Sequence, residues 1–178
     1  MRIVSGNLKG KRITAPKKLP VRPTTDFAKE ALFNILNNHY HFSGLHILDL
    51  FSGTGNIAYE FASRGAEAIT SVDSHYECIK FISKTSEELD LPIATVKSDV
   101  FKYLAATNTA NDIIFADPPY DFEVDALQKM VDLTFEKSLL NENGVLIIEH
   151  SKKIDLSHLS HFTESRKYGN SVFSFFYL

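Results

Sequence analysis

With 178 residues, 44% of them hydrophobic and only 8 Gly and 6 Pro, the chain has the size and apolar content of one compact domain, which excludes a disordered or fibrous protein. Its single cysteine, Cys78, excludes an internal disulfide, its seven His lack metal-ligand spacing, and no apolar run approaches a signal peptide or the ~20 residues of a membrane span, so a soluble, cytoplasmic, metal-free protein is expected. The net charge of −3 argues against a general nucleic-acid binder, yet residues 1–30 carry eight basic side chains (Arg2, Lys9, Lys11, Arg12, Lys17, Lys18, Arg22 and Lys29) against Asp26 and Glu30, whereas the remaining 148 residues carry 11 basic and 20 acidic ones.

A basic arm on an acidic body predicts that a polyanion is handled at one edge; a solvated lysine-rich terminus is the plainer alternative. The arm reads as a hairpin, Arg2–Ser5 and Lys11–Thr14 around a turn containing Gly6-Asn7 and Gly10. A helix follows from about Asp26 to Asn37, with Thr24, Thr25 and Asp26 as cap candidates. From Ile47 onward, apolar β-rich runs (Ile47–Leu50, Ala68–Val72, Ala94–Lys97, Ile113–Ala116 and Val145–Glu149) alternate with helical periods at 55–64, 76–89, 100–106 and 123–137. That alternation predicts βαβ units around a parallel sheet, and the unbroken apolarity of the runs predicts helices on both its faces. Phe162–Tyr168 and Val172–Leu178 are separated only by Gly169-Asn170-Ser171, too short for a parallel crossover, so the sheet ends in an antiparallel hairpin. The expectation is therefore an α/β, Rossmann-like fold with a seven-stranded, mostly parallel sheet, preceded by the N-terminal hairpin and helix. Residues 1–40 form the basic extension and residues 41–178 the main domain. Cys78 and the C-terminal aromatics read as core, and His150, Lys152 and Lys153 as a solvated strand end. Glu149 receives no role.

Four acids end four successive strands: Asp49, Asp73, Asp99 and Asp117. In open α/β sheets that edge binds ligands. Asp49-Leu50-Phe51-Ser52-Gly53-Thr54-Gly55-Asn56 leads from a strand into a helix, and Gly53, Gly55 and Ala58 satisfy the G-x-G-x-x-G/A pattern, a weak signal alone. Asp73 is placed to accept from ribose hydroxyls and Asp99 from an exocyclic amine, although each acid by itself is more often a cap. A nicotinamide dehydrogenase would share this geometry. An acid just ahead of the glycine loop, however, repels a pyrophosphate and attracts an ammonium such as that of S-adenosylmethionine. Asp117-Pro118-Pro119-Tyr120 follows Ile113–Ala116 as a rigid corner, because two prolines fix two φ angles and remove two donors. Its acceptor and its aromatic plate suit a planar group that bears an amine, although a strand-terminating turn would need the same residue types.

These residues resemble the class I S-adenosylmethionine-dependent methyltransferases, and the tetrapeptide resembles the signature of those acting on amino groups of bases. More narrowly, the chain is similar to the RsmD family, bacterial methyltransferases of guanine N2 in 16S ribosomal RNA. The resemblance rests on Met1–Gly6, Arg22-Pro23-Thr24-Thr25-Asp26, Lys29-Glu30, Phe51–Gly55, Ser63-Arg64-Gly65-Ala66 and Asp117–Tyr120. It implies S-adenosylmethionine held by Asp49, Phe51, Ser52, Gly53, Thr54, Gly55, Asp73, Asp99 and Val100, and catalysis by Asp117, Pro118, Pro119 and Tyr120. It also implies RNA contacts by Arg2, Lys9, Lys11, Arg12, Arg22, Thr24 and Lys29 in a monomer that acts on the small subunit or its assembly intermediate. The family usually has an arginine where this chain has Phe27, so that contact is absent or supplied by Lys29. The implied mechanism is direct displacement, with the Asp117 carboxylate and the Pro118 carbonyl accepting the two N2 protons and Tyr120 stacking on a flipped base. Three alternatives stand beside it. An adenine-N6 methyltransferase would use the same tetrapeptide but lacks room here for a target-recognition region, a non-catalytic RNA-binding module leaves the acids without purpose, and a glutamine methyltransferase begins its signature with Asn.

Overall fold

A run such as Ile47-Leu48-Asp49-Leu50 is apolar on both sides of its pleat, so it is stable only where helices cover both faces of a sheet. The computed structural model, which describes residues 1–19 and 24–178, has that arrangement. Its elements are α1 (Asp26–Asn37), β1 (His46–Leu50), α2 (Asn56–Ser63), β2 (Ala68–Asp73), α3 (Tyr76–Glu88), β3 (Ile93–Lys97), α4 (Val100–Ala106), β4 (Asn111–Ala116), α5 (Val124–Glu136), β5 (Leu140–Ser151), β6 (Phe162–Tyr168) and β7 (Ser171–Tyr177). They build one seven-stranded sheet in the order β3-β2-β1-β4-β5-β7-β6. β1 to β5 run parallel, and β7 returns antiparallel between β5 and β6, as the short Gly169-Asn170 connection requires.

The chain builds outward from β1 to β3, then crosses back to β4 on the other side of β1. Connections diverge at this switch point, leaving a crevice at the carboxyl ends of β1 and β4. Alternation along the strands then sorts the side chains by face. Ile47, Phe115, Val145, Ile147, Phe173 and Phe175 pack with α1 and α2 in one cluster. Leu48, Leu50, Ile114, Ala116, Leu146 and Ile148 pack with α4 and α5 in the other.

Two expectations change. The N-terminal hairpin shrinks to one antiparallel bridge, Arg2 with Arg12, closed by Ile3 N–H to the Lys11 carbonyl at 2.9 Å and Gly10 N–H to the Ile3 carbonyl at 2.8 Å. The ladder stops because the next two amides, of Val4 and Ser5, turn to the Glu60 carboxylate on α2 at 2.9 and 3.0 Å. His150 belongs to β5 rather than to a solvated end: it is buried, with Nε2 2.7 Å from Ser174 Oγ. Cys78 is buried in α3, as expected. No helix among the described residues is long and apolar enough to cross a membrane, and no group of metal-ligating side chains occurs among them.

Candidate active site

Asp49 shares its face of β1 with Ile47, and the odd-numbered positions of β4 and β5 lie on that same face. Extending the register Ala116 to Ile148 by one residue sets Asp117 beside Glu149. So three acids emerge together at the switch point under the N-terminus of α1. They line one cleft of about 660 Å³, along with Ser52, Gly53, Thr54, Asp73 and Asp99 on one side and Thr24, Phe27, Pro118, Pro119, Tyr120 and Ser171 on the other.

At the β1 end, Phe51 turns through a left-handed backbone (φ 57°) and Gly53 follows at φ 53°. Such a turn costs a bulky residue of order 1–3 kcal/mol and persists where surrounding structure enforces it; here the Phe51 ring packs edge-on to Phe122 at 5.5 Å. Asp49 is 2% exposed, and its Oδ2 meets no donor. Burial pushes its carboxyl up to about 8, opposed by Ser52 and aided by Asp73. A buried carboxylate oxygen without a partner is a poor structural element and a good receptor for a cation. Asp73 is already engaged, accepting from Gly53 N–H at 2.9 Å through Oδ2 and from His75 N–H at 2.8 Å through Oδ1, so it braces the loop as well as facing the cleft. Asp99 is exposed and caps α4 through Oδ1, 2.9 Å from Lys102 N–H. Two expected cofactor residues are turned inward instead. Val100, the first residue of α4, packs its side chain into the core. Gly55 caps α2 at φ 80°, where a Cβ would come 2.8 Å from the Tyr59 ring, so its glycine serves packing rather than ligand approach.

At the β4 end, Asp117 N–H donates to the Leu50 carbonyl at 3.3 Å and anchors the tetrapeptide. Pro118 is buried, whereas Pro119 and Tyr120 are exposed. The Pro119 carbonyl accepts from Phe122 N–H at 3.0 Å, so it is not free, but no described residue donates to the Pro118 carbonyl. Tyr120 Oη lies 3.1 Å from the Oγ of Ser171, the first residue of β7. Glu149, to which the sequence assigned no role, is 3% exposed, and the Thr24 hydroxyl donates to it at 3.4 Å. Burial raises the carboxyls of both Asp117 and Glu149; Glu149 and Asp49 push Asp117 further, while hydroxyl donors hold the pair down. Thr24, expected on RNA, thus belongs to this acid cluster.

The basic arm is wired to α2. Ser63 Oγ accepts from Leu8 N–H at 2.9 Å and donates to the Ser5 carbonyl at 2.6 Å, while Ile3 and Ile13 pack on Tyr59 and Ile82. Lys9, Lys11 and Arg12 are exposed, and Arg2 is half-exposed with Asp26 at 3.9 Å. Lys29 is corrected. It is 1% exposed, with its ammonium 2.6 Å from the Arg2 carbonyl, 2.9 Å from Asn56 Oδ1 and 3.3 Å from Glu60, so it presents no charge to RNA and cannot replace the arginine absent at Phe27. Phe27 is 69% exposed at the cleft mouth, edge-on to Tyr168 at 6.2 Å. Arg22 and Pro23 lie outside the described residues. Glu149, Phe27 and the segment 168–171 are the site residues that sequence reasoning missed; Glu149 alone carried a signal, as the acid that ends the apolar run Val145–Ile148.

Known proteins resemble this chain over most of its length. A family model described as Conserved hypothetical protein 95 matches residues 1–177. The provisionally named rRNA methyltransferase YlbH of Bacillus subtilis (strain 168) is 33% identical over 161 residues, covering 88% of this chain and 85% of that protein. Ribosomal RNA small subunit methyltransferase D of Buchnera aphidicola subsp. Baizongia pistaciae is 30% identical over 156 residues, covering 87% of this chain and 78% of that one. Among solved structures, the provisionally named methyltransferase yhhF of Escherichia coli matches with a TM-score of 0.87 and 23% identity over 99% of this chain and 97% of its own, a likeness of fold.

Proposed function

We infer, from the premise that this chain belongs to the Conserved hypothetical protein 95 family, the RsmD family of rRNA methyltransferases, that it uses S-adenosylmethionine to methylate the exocyclic N2 of a guanine in 16S ribosomal RNA. The observation that carries this reading is one cleft joining a partnerless buried carboxylate, Asp49, to the acceptor corner of Asp117 and Pro118. The residues present fit the cofactor. Asp49 Oδ2 would take its ammonium, Phe51 to Thr54 its methionine part, Asp73 its ribose and Asp99 its adenine side. When bound, S-adenosylmethionine supplies an electrophilic methyl group on a sulfonium.

The chain's own residues do the rest. Guanine N2 is a weak nucleophile because its lone pair is delocalised into the ring. Acceptance of its two protons by the Asp117 carboxylate and the Pro118 carbonyl favours a pyramidal, attacking nitrogen, as fixed dipoles favour developing charge elsewhere. Alignment within the cleft contributes several kcal/mol, up to about 7–11 in well-oriented reactions. The surplus proton on methylated N2 passes to Asp117. Tyr120 and Phe27, both exposed at the mouth, offer stacking faces to an extruded base and its neighbour.

Labelled S-adenosylmethionine with small-subunit particles lacking the modification, followed by mapping of the methylated base, tests the reading; label on adenine, in DNA or nowhere overturns it. Cofactor binding gives an independent check. Below pH 8 Asp49 holds a proton that an incoming ammonium must displace, so affinity is expected to rise by up to tenfold per pH unit from pH 6 toward 8. Asp49→Asn is expected to weaken binding and flatten that rise, as calorimetry would read. For RNA, replacing exposed Lys9, Lys11 and Arg12 with Ala is expected to lower the slope of log affinity against log salt by about two units. An unchanged slope would return the arm to a solvated terminus.

A further inference from the structure

Asp117 and the Pro118 carbonyl account for the 2-amino group of the acceptor, but a second carboxylate stands beside them without a task. Glu149 neighbours Asp117 across the β4–β5 pair, on the same face, and is 3% exposed. Among the described residues no Lys or Arg pairs with it; it is held only by hydroxyls, Thr24 at a long 3.4 Å and Ser171 at the start of β7. A carboxylate so buried and so sparingly satisfied works against folding, and it answers a ligand that brings its own donor.

Guanine brings two adjacent donors, the ring N1–H and the 2-amino group. An adenine whose 6-amino group took the same place would instead turn a bare N1 acceptor toward the second acid. We propose that Glu149 is a specificity-determining residue that accepts guanine N1–H while Asp117 and the Pro118 carbonyl take the 2-amino group. This rests on the guanine-N2 reading above. Two neighbouring carboxylates thus complement two neighbouring donors. Against adenine, an acceptor would face a ring lone pair, and such an unpaired polar contact in a buried site discriminates more strongly than a change of shape. Thr24, just ahead of α1, orients Glu149, and Tyr120 is tethered to Ser171 at the same cleft.

The test uses the full chain and target RNA carrying, at the mapped position, either guanine or 2-aminopurine, which keeps the 2-amino group and lacks N1–H. Wild-type protein is expected to methylate guanine roughly 10- to 100-fold faster, the discrimination typical of one good base-edge contact. Glu149→Gln, whose amide offers a donor to a bare N1, is expected to narrow that ratio by about tenfold. The missing O6 of 2-aminopurine affects both proteins alike, so the change in ratio reports on Glu149. Equal rates on the two bases with wild-type protein, or an unchanged ratio in the variant, would overturn the role of Glu149 and leave the guanine-N2 reading standing. No methylation of the 2-amino group in either RNA would overturn both. The wild-type ratio needs no variant, so the test does not depend on Glu149→Gln folding.

Discussion

Asp117→Asn is expected to lower methyl transfer by about 10³-fold while S-adenosylmethionine affinity stays within a few-fold, because removal of one aligned catalytic group typically costs 10²–10⁴ in rate. The substitution keeps shape and volume and removes only the charge and one acceptor. Its carbonyl can still accept one N2 proton, but the amide cannot take up the proton that methylated N2 must lose. In the wild type, burial and the neighbouring Glu149 and Asp49 raise the Asp117 carboxyl, so turnover is expected to climb with pH as that carboxyl ionises. The asparagine variant is expected to lose that limb of the profile. Single-turnover rates against pH, with cofactor affinity measured in parallel, give both results. Retained turnover would show that Asp117 only shapes the loop.

The second large effect is on stability. Glu60 is fully buried; one oxygen is 3.3 Å from the Lys29 ammonium, the other 2.9 Å from the Arg64 guanidinium, and both also accept from the Val4 and Ser5 amides. Burial pushes the Lys29 ammonium down, and the neighbouring Glu60 carboxylate opposes that shift. Glu60→Leu removes one side and strands a buried cation, which costs about 3–5 kcal/mol in comparable pairs. For a chain of this length, that corresponds to a fall in Tm of roughly 10 °C. The two stranded arm amides add to the loss. Thermal and urea denaturation would measure it, and a change under about 1 kcal/mol would place Glu60 outside the structural framework. Since the same carboxylate holds the arm to α2, RNA affinity is expected to fall in Glu60→Leu even where the domain remains folded. Lys29 and Asn56 extend this link to the cleft, because Asn56 opens α2 and donates to the Thr24 carbonyl at 3.0 Å.

The particular residues show where sequence reasoning stopped. Asp49, Asp73, Asp99 and Asp117 were identifiable as site candidates because each lies at or within two residues of the carboxyl end of a strand-like run, and a strand's end is a local property. Lys29 was misread because, among eight basic residues near the N-terminus, nothing local distinguishes the one whose helix face turns inward to a carboxylate on α2. Gly55 satisfied a motif, yet the atoms it makes room for belong to Tyr59 and Ile82 rather than to a ligand. Glu149 stayed unread because its partners are Thr24, before α1, and Ser171, at the start of β7.

By itself the sequence determined the alternation of strands and helices, the C-terminal hairpin, the acids on the carboxyl edge and the rigid corner at Asp117–Tyr120. All of these depend on period, turn chemistry and chain length, which act within a few residues. Tertiary structure alone decided which charges are buried and paired, that the arm is fastened to α2, and that Glu149 stands next to Asp117. Those outcomes depend on which distant segments meet, and the energy of a buried charge is set by the partner it finds there rather than by its neighbours in the chain.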